Sequence, residues 1–189
     1  MTVSAFDVSR YLLETYGRMS AMKMLKLTFY AQAWHIVATD VPLFHEEIEA
    51  FDLGPVVRPL WKSNAGKSSV EAADIPLGNV RLLSAESREL IDAVFAYYGK
   101  KSAAELSRLT HTETPWKADR ASAGAISVES LHEFYACQLA ETDKHPALPS
   151  WAVIVVEASK YADMMLTAAI PDDVSSLVER VVRARSQFA

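Results

Sequence analysis

The chain has 189 residues, half of them hydrophobic, a net charge of −5 and a single cysteine. Such a length supports one well-formed core and is marginal for two, and the acidic balance argues against a general nucleic-acid surface. Cys137 alone excludes an internal disulfide and a multi-cysteine zinc site, and it fits a reducing, cytoplasmic compartment.

At the N-terminus, Ser4 and Asp7 have capping-box spacing, and Phe6, Tyr11, Leu12, Leu13 and Tyr16 supply apolar positions before Gly17 closes a first helix. MTVSAFDVSR lacks the basic and apolar regions of a signal peptide. Ser20 then caps the longest helix. At 100° per residue, Met22, Leu25, Phe29, Ala33 and Ile36 form one apolar stripe, and Leu27, Tyr30, Trp34 and Val37 a second beside it. Only Thr28, Gln32, His35 and Thr39 form a polar face, so the rest of the chain must wrap this helix.

The loop from Asp40 to Phe44 leads into Glu46 to Phe51, a run too short to assign as helix or strand. Gly54-Pro55 can stop one element and open the next, and Pro59, Leu60 and Trp61 begin a short helix ending near Asn64 to Gly66. From Gly66 to Leu83 the expectation is loop, with one short strand around Val80 to Leu83. Gly66-Lys67-Ser68 echoes the end of a phosphate-binding loop, but Trp61 stands where its first glycine belongs.

Four helices follow, opened by Ser84, by Ser102 with Glu105, by Thr114-Pro115 and by Ser127. Asp143 to Ser150, with two prolines, reads as a boundary. Beyond it, Trp151 to Leu166 reads as a buried helix, although the run Val153, Ile154, Val155, Val156 has strand propensity, and Pro171 to Arg185 reads as a terminal helix. Glu157, Lys160 and Asp163 make the region a poor membrane span. The expected fold is mostly α: a single compact helical domain over residues 1–142 with a central buried helix and a small β element, and a C-terminal helical extension over 150–189.

No reaction is written in these residues. His111-Thr-Glu113 matches the front of a zinc deaminase signature without the paired cysteines, and no HExxH spacing occurs, so neither metal nor cofactor is expected. The four tryptophans read as core anchors and Cys137 as core packing. Lys23 and Lys26 stand out, because they fall in or beside the apolar sector at the positive end of a helix. They require carboxylate partners, Glu47, Glu49 or Asp52 being candidates, or they face a binding partner.

The run MKMLKLTFYAQAWHIVATDVPLFHEEIEAFDLGPVVRPLW closely resembles the signature of the Panacea, or SocA-like, antitoxin domain: K-L-x-K-L-x-Y-Y-x-Q-x-W-H, then P-L-F-x-E-x-I-E-A-W-x-x-G-P-V-x-P. LSRLTHTETPWKADR resembles the family's L-T-H-x-x-x-P-W element, and ISVESLHEFYA its closing helix, so the resemblance spans about residues 4 to 140. Met24 replaces a leucine, Thr28 and Phe29 replace a Leu-x-Tyr type pair, and Phe51 replaces a tryptophan. The resemblance implies a bacterial or phage protein that neutralises a cognate toxin protein by direct contact, without catalysis, one branch delivering its toxin to a AAA+ protease. It also implies that Lys23, Lys26, Gln32, His35, Glu49, Thr110, His111 and Trp116 are hallmark positions, structural first and candidates for partner binding second, with Gly54, Pro55, Pro59 and Pro115 as structural motif. A small hydrolase using His35, His111 and a carboxylate is the alternative, and a DNA-binding regulator the second.

Overall fold

The computed structural model describes residues 2–120, 124–141 and 143–152. Helix α1 (Ala5–Tyr16) starts on the expected capping box, in which the Ser4 side chain accepts the Asp7 N–H and the Asp7 carboxylate returns to the Ser4 backbone. Ala5, Val8, Leu12 and Leu13 are its buried apolar residues, whereas Phe6, Tyr11 and Tyr16 are only partly covered. The hydroxyls of Tyr11 and Tyr16 both donate to Asp92, which ties α1 to a later helix.

Strand β1 (Met19–Ser20) leads into α2 (Ala21–Thr39), whose first turn is capped by the Ser20 side chain accepting the Lys23 N–H. Every residue of α2 except Met22 and Lys23 is buried. The polar face is buried too, and its groups find partners inside. The Thr28 hydroxyl donates to the Met24 carbonyl and meets the Ser9 hydroxyl of α1 at 2.9 Å. Tyr30 stacks on Tyr98 with ring centroids 3.9 Å apart, and the Trp34 indole N–H donates to the Tyr98 hydroxyl.

Strands β2 (Ile48–Phe51) and β3 (Gly54–Val57) form an antiparallel hairpin with Phe51 opposite Gly54. Helix α3 (Arg58–Ser63) follows at once, with Pro59 in its first turn. The 124–126 segment runs along the outer side of β2, since the Ala50 N–H reaches the Gly124 carbonyl and the Ile126 N–H the Ile48 carbonyl. Because Ala50 points its N–H that way, its opposite number Pro55 needs no N–H toward β2, and proline is tolerated in the strand.

Strand β4 (Ser69–Val70) pairs with β1. The strand expected around Val80 to Leu83 is instead a 3-10 turn, Val80–Leu82. The reason is local: the Asn79 side chain accepts the Arg81 N–H, and the Asn79 N–H is held by the Asp7 carboxylate at 2.6 Å. Helices α4 (Ala85–Tyr98), α5 (Ala103–Thr112), α6 (Thr114–Asp119) and α7 (Val128–Gln138) complete the wrap, with α1, α4, α5, α7 and β3 all packed on α2. The cap of α6 is Glu113 rather than Thr114. The chain is mostly α, with two small two-stranded sheets among the described residues.

Two expectations about single residues are corrected. Cys137 is exposed, because α7 turns Leu131 and Tyr135 inward and leaves that position on the outer face. Trp34 and Trp116 are core residues, but Trp61 is 38% exposed on the short α3, whose inward residue is Leu60. Leu148, Trp151 and Ala152 lie against a small cluster of Ala38 and Leu90. The remaining positions of the two expected C-terminal helices, from 153 on, lie outside the described residues.

Candidate partner-binding face

The hairpin tip is held by side chains from three helices. The Lys26 ammonium on α2 donates to the Pro55 carbonyl at 2.9 Å, the Trp116 indole N–H on α6 to the Phe51 carbonyl at 2.8 Å, and the Ser107 hydroxyl on α5 to the Leu53 carbonyl at 3.0 Å. Gly54 has φ of +98°, and a Cβ there would meet the Thr110 hydroxyl at 2.5 Å and the Lys26 ammonium at 2.7 Å. Only glycine lets α2, α5 and the turn approach so closely. His111 stacks on Trp116 with centroids 4.1 Å apart, and its Nε2 is buried without a hydrogen-bond partner among the described residues. Pro115 is buried at the start of α6.

The lysines do not pair with Glu47, Glu49 or Asp52. Lys23 donates to the Gly99 carbonyl at the end of α4, where a cation suits the helix dipole. Lys26, 0% exposed, uses Pro55, and the carboxylate that acts on it is Glu113. Glu49 instead takes the Arg58 guanidinium across the hairpin, which lowers its pKa. Elsewhere, Gln32 closes the loop after α2, accepting the Leu43 and Phe44 N–H groups and donating to the Phe44 carbonyl. The His35 Nδ1 meets the Val41 carbonyl at 2.9 Å, which requires the proton on that nitrogen.

Burial governs the electrostatics. It pulls Lys26 down to about 7, against the attraction of Glu113. It pushes Glu113 up to about 7, against the Tyr135 and Tyr30 hydroxyls that donate to it and the charge of Lys26. His35 falls to about 4 for the same reason, opposed by its bond to Val41. His111 is lowered by burial and then by the charges of Lys26 and Arg120. His111 interacts at the level of Lys26, and His35 lies nine residues further along α2, about 13 Å along its axis. The two histidines therefore do not share a site. Among the described residues no group of three His, Cys, Asp or Glu side chains could hold a metal ion.

Around the pinned tip the surface is apolar. Leu53 is 60% exposed, Trp61 packs edge-on to Phe51, and these residues with Met22, Leu25 and Val56 line a groove of about 440 Å³. The Arg58 guanidinium lies 4.9 Å over the Phe51 ring, and that of Arg120 lies 4.9 Å over Trp116.

The family model described as antitoxin SocA-like, Panacea domain, matches residues 24–117, from the first turn of α2 to α6. This chain carries a Panacea domain of the SocA-like antitoxin family. The match is narrower than the span of about 4 to 140 expected from the motifs, but it holds α2, the hairpin, α3 and the Thr110–Trp116 element. No curated protein and no solved structure matched the chain. The Panacea family supports an antitoxin role in general and, with it, a toxin as partner. No helix among the described residues is long and apolar enough to cross a membrane.

Sequence reasoning met Glu113 only as part of a deaminase-like motif and missed its pairing with Lys26, Tyr30 and Tyr135, and it missed the exposure of Leu53 and Trp61. Leu53 had a signal: a leucine in a two-residue hairpin turn has no core to enter.

Proposed function

We propose that this Panacea protein neutralises one cognate toxin protein in the cytoplasm by direct contact, residues 1–142 serving as the antitoxin domain and 150–189 as an extension. The observation that carries the reading is that Lys26, Gly54, Thr110, His111 and Trp116 converge on the hairpin tip, beside an apolar groove with exposed Leu53 and Trp61. In this reading Lys26, Gly54, Pro55, Thr110, His111 and Trp116 keep the contact face rigid, Glu49 orients Arg58, and Pro59 and Pro115 start the helices beside it. Lys23, Gln32 and His35 brace the loops behind. A rigid face loses little conformational entropy on association.

The test is co-expression with the product of the adjacent reading frame. Growth arrested by that product and restored by this chain supports the reading, and arrest that persists despite soluble antitoxin defeats it. Delivery of the toxin to a AAA+ protease is the finer variant. It requires rescue to vanish in a host lacking its AAA+ proteases, whereas simple occlusion leaves rescue intact.

A further inference from the structure

The groove at the hairpin tip has a definite chemistry. Its lining is mostly apolar, with Met22, Leu25, Phe51, Leu53, Val56 and Trp61. Leu53 and Trp61 are among the five large hydrophobic residues exposed in the described part of the chain, and the two share this one depression. Tryptophan and arginine are the residue types that most often carry binding energy at protein interfaces. Here they sit together and already ordered, since the Phe51 and Trp116 rings stack the two guanidinium groups in place.

Charge on the rim runs against that of the whole protein. The chain carries a net −5, yet beside Arg120 and Asp52 in the groove lining lie Arg58, over the Phe51 ring and paired with Glu49, and Lys62, next to Trp61 in sequence and close enough for its charge to act on Glu49: three cations to two carboxylates. Those carboxylates are partly spent. Glu49 is taken by Arg58, and Asp52 reaches Arg120 only at 3.5 Å while its side chain stays 91% exposed. Lys62 has no ion pair within 4 Å among the described residues. Both arginines keep about half of their side-chain surface open to solvent, so each has donors left for a second acceptor.

We infer that this groove receives an apolar segment of the partner protein flanked by aspartate or glutamate side chains, the apolar residues seating against Leu53 and Trp61 and the carboxylates meeting Lys62, Arg120 and the open side of Arg58. The inference rests on the reading of the chain as a partner-binding antitoxin and names the kind of sequence its partner presents. Such an arrangement uses apolar burial for affinity and the rim charges for encounter rate and choice of partner.

The probe is a displayed library of random peptides selected on the immobilised full-length chain, with Leu53→Asp, Trp61→Ala and Lys62→Glu/Arg120→Glu in parallel. All substituted side chains are exposed at the surface, and an unchanged thermal midpoint verifies each fold. The expected result is enrichment of peptides with large apolar residues next to Asp or Glu. Their affinity falls at least about tenfold in Leu53→Asp and in Trp61→Ala, and it weakens with added salt. The double charge reversal should shift selection toward neutral or basic flanks. Enrichment of Lys- or Arg-flanked peptides, binding indifferent to Leu53→Asp, or no enrichment at all overturns the inference. So does a dimer of the wild-type chain that Leu53→Asp disperses, since a second copy would then own the groove. Toxin rescue is scored separately: failed rescue defeats the antitoxin reading whatever the peptides do, and failed selection beside intact rescue defeats only this inference.

Discussion

Replacing Gly54 by alanine tests whether the hairpin is clamped as tightly as its geometry indicates. Two costs add. The backbone at φ +98° lies where L residues are strained, about 1–2 kcal/mol. The new methyl also enters space held by the Thr110 hydroxyl, 2.5 Å away, and the Lys26 ammonium, 2.7 Å away. Neither retreats freely. Thr110 is bonded to the Ser107 carbonyl and Lys26 to the Pro55 carbonyl, and breaking such a buried contact costs about 1–3 kcal/mol. Gly54→Ala should therefore lose about 2–5 kcal/mol. The control is Gly66→Ala, at φ +81° with nothing within 4 Å, which should lose the strain alone. Both variants stiffen the unfolded chain equally, so that effect cancels between them. Urea unfolding at constant m-value measures both. Equal losses in the two variants would refute the close approach of hairpin, α2 and α5.

Trp116→Phe keeps a ring beside His111 but removes the donor to the Phe51 carbonyl; it should cost about 1 kcal/mol in the same assay and shift the Leu53 methyl resonances. Glu113→Gln should flatten the acid side of the stability profile. Between the ordinary carboxyl value of 4.5 and about 7 the folded chain holds a proton that the unfolded chain has released, so wild-type stability from this group falls as pH rises through that window. Lys26 acts with opposite sign: its contribution grows as pH rises from about 7 to 10.5, and Lys26→Met should abolish that slope. Urea titrations across pH check both slopes. Cys137 should react with a water-soluble thiol reagent in the native protein at a rate close to that in denaturant, and strong protection would contradict its exposure.

Local signals were legible where they were sufficient by themselves. Ser20, the apolar circumference of α2 and the Ser4–Asp7 and Ser102–Glu105 boxes announce helices without help from the rest of the chain. Ile48–Phe51 could not be assigned, because four residues carry too little periodicity and one of their ladder partners, at 124–126, is remote. Val80–Leu82 has β propensity but no strand paired with it among the described residues, and Asn79 decides for a turn. Lys23 and Lys26 were visible as anomalies, and the stretch around His111 as a motif. The carboxylate that answers Lys26 was not, since Glu113 meets Tyr30 across 83 positions of sequence and only the fold brings them together. Trp61 and Cys137 were misplaced because composition predicts burial by residue type, whereas the outward face of a short or peripheral helix is set by its neighbours.

The ammonium of Lys26 also decides how this protein can be gripped. A hairpin with a free flank invites another chain to zip onto it as an extra strand, which is how many sheets recruit partners and how many aggregate. Here the flank of β3 offers a proline with no N–H and a carbonyl already occupied from α2, so continuous main-chain pairing is interrupted at its middle. A partner that docks along the flank of β3 is therefore recognised mainly by its side chains, and the same interruption disfavours edge-to-edge pairing of two hairpins along that flank.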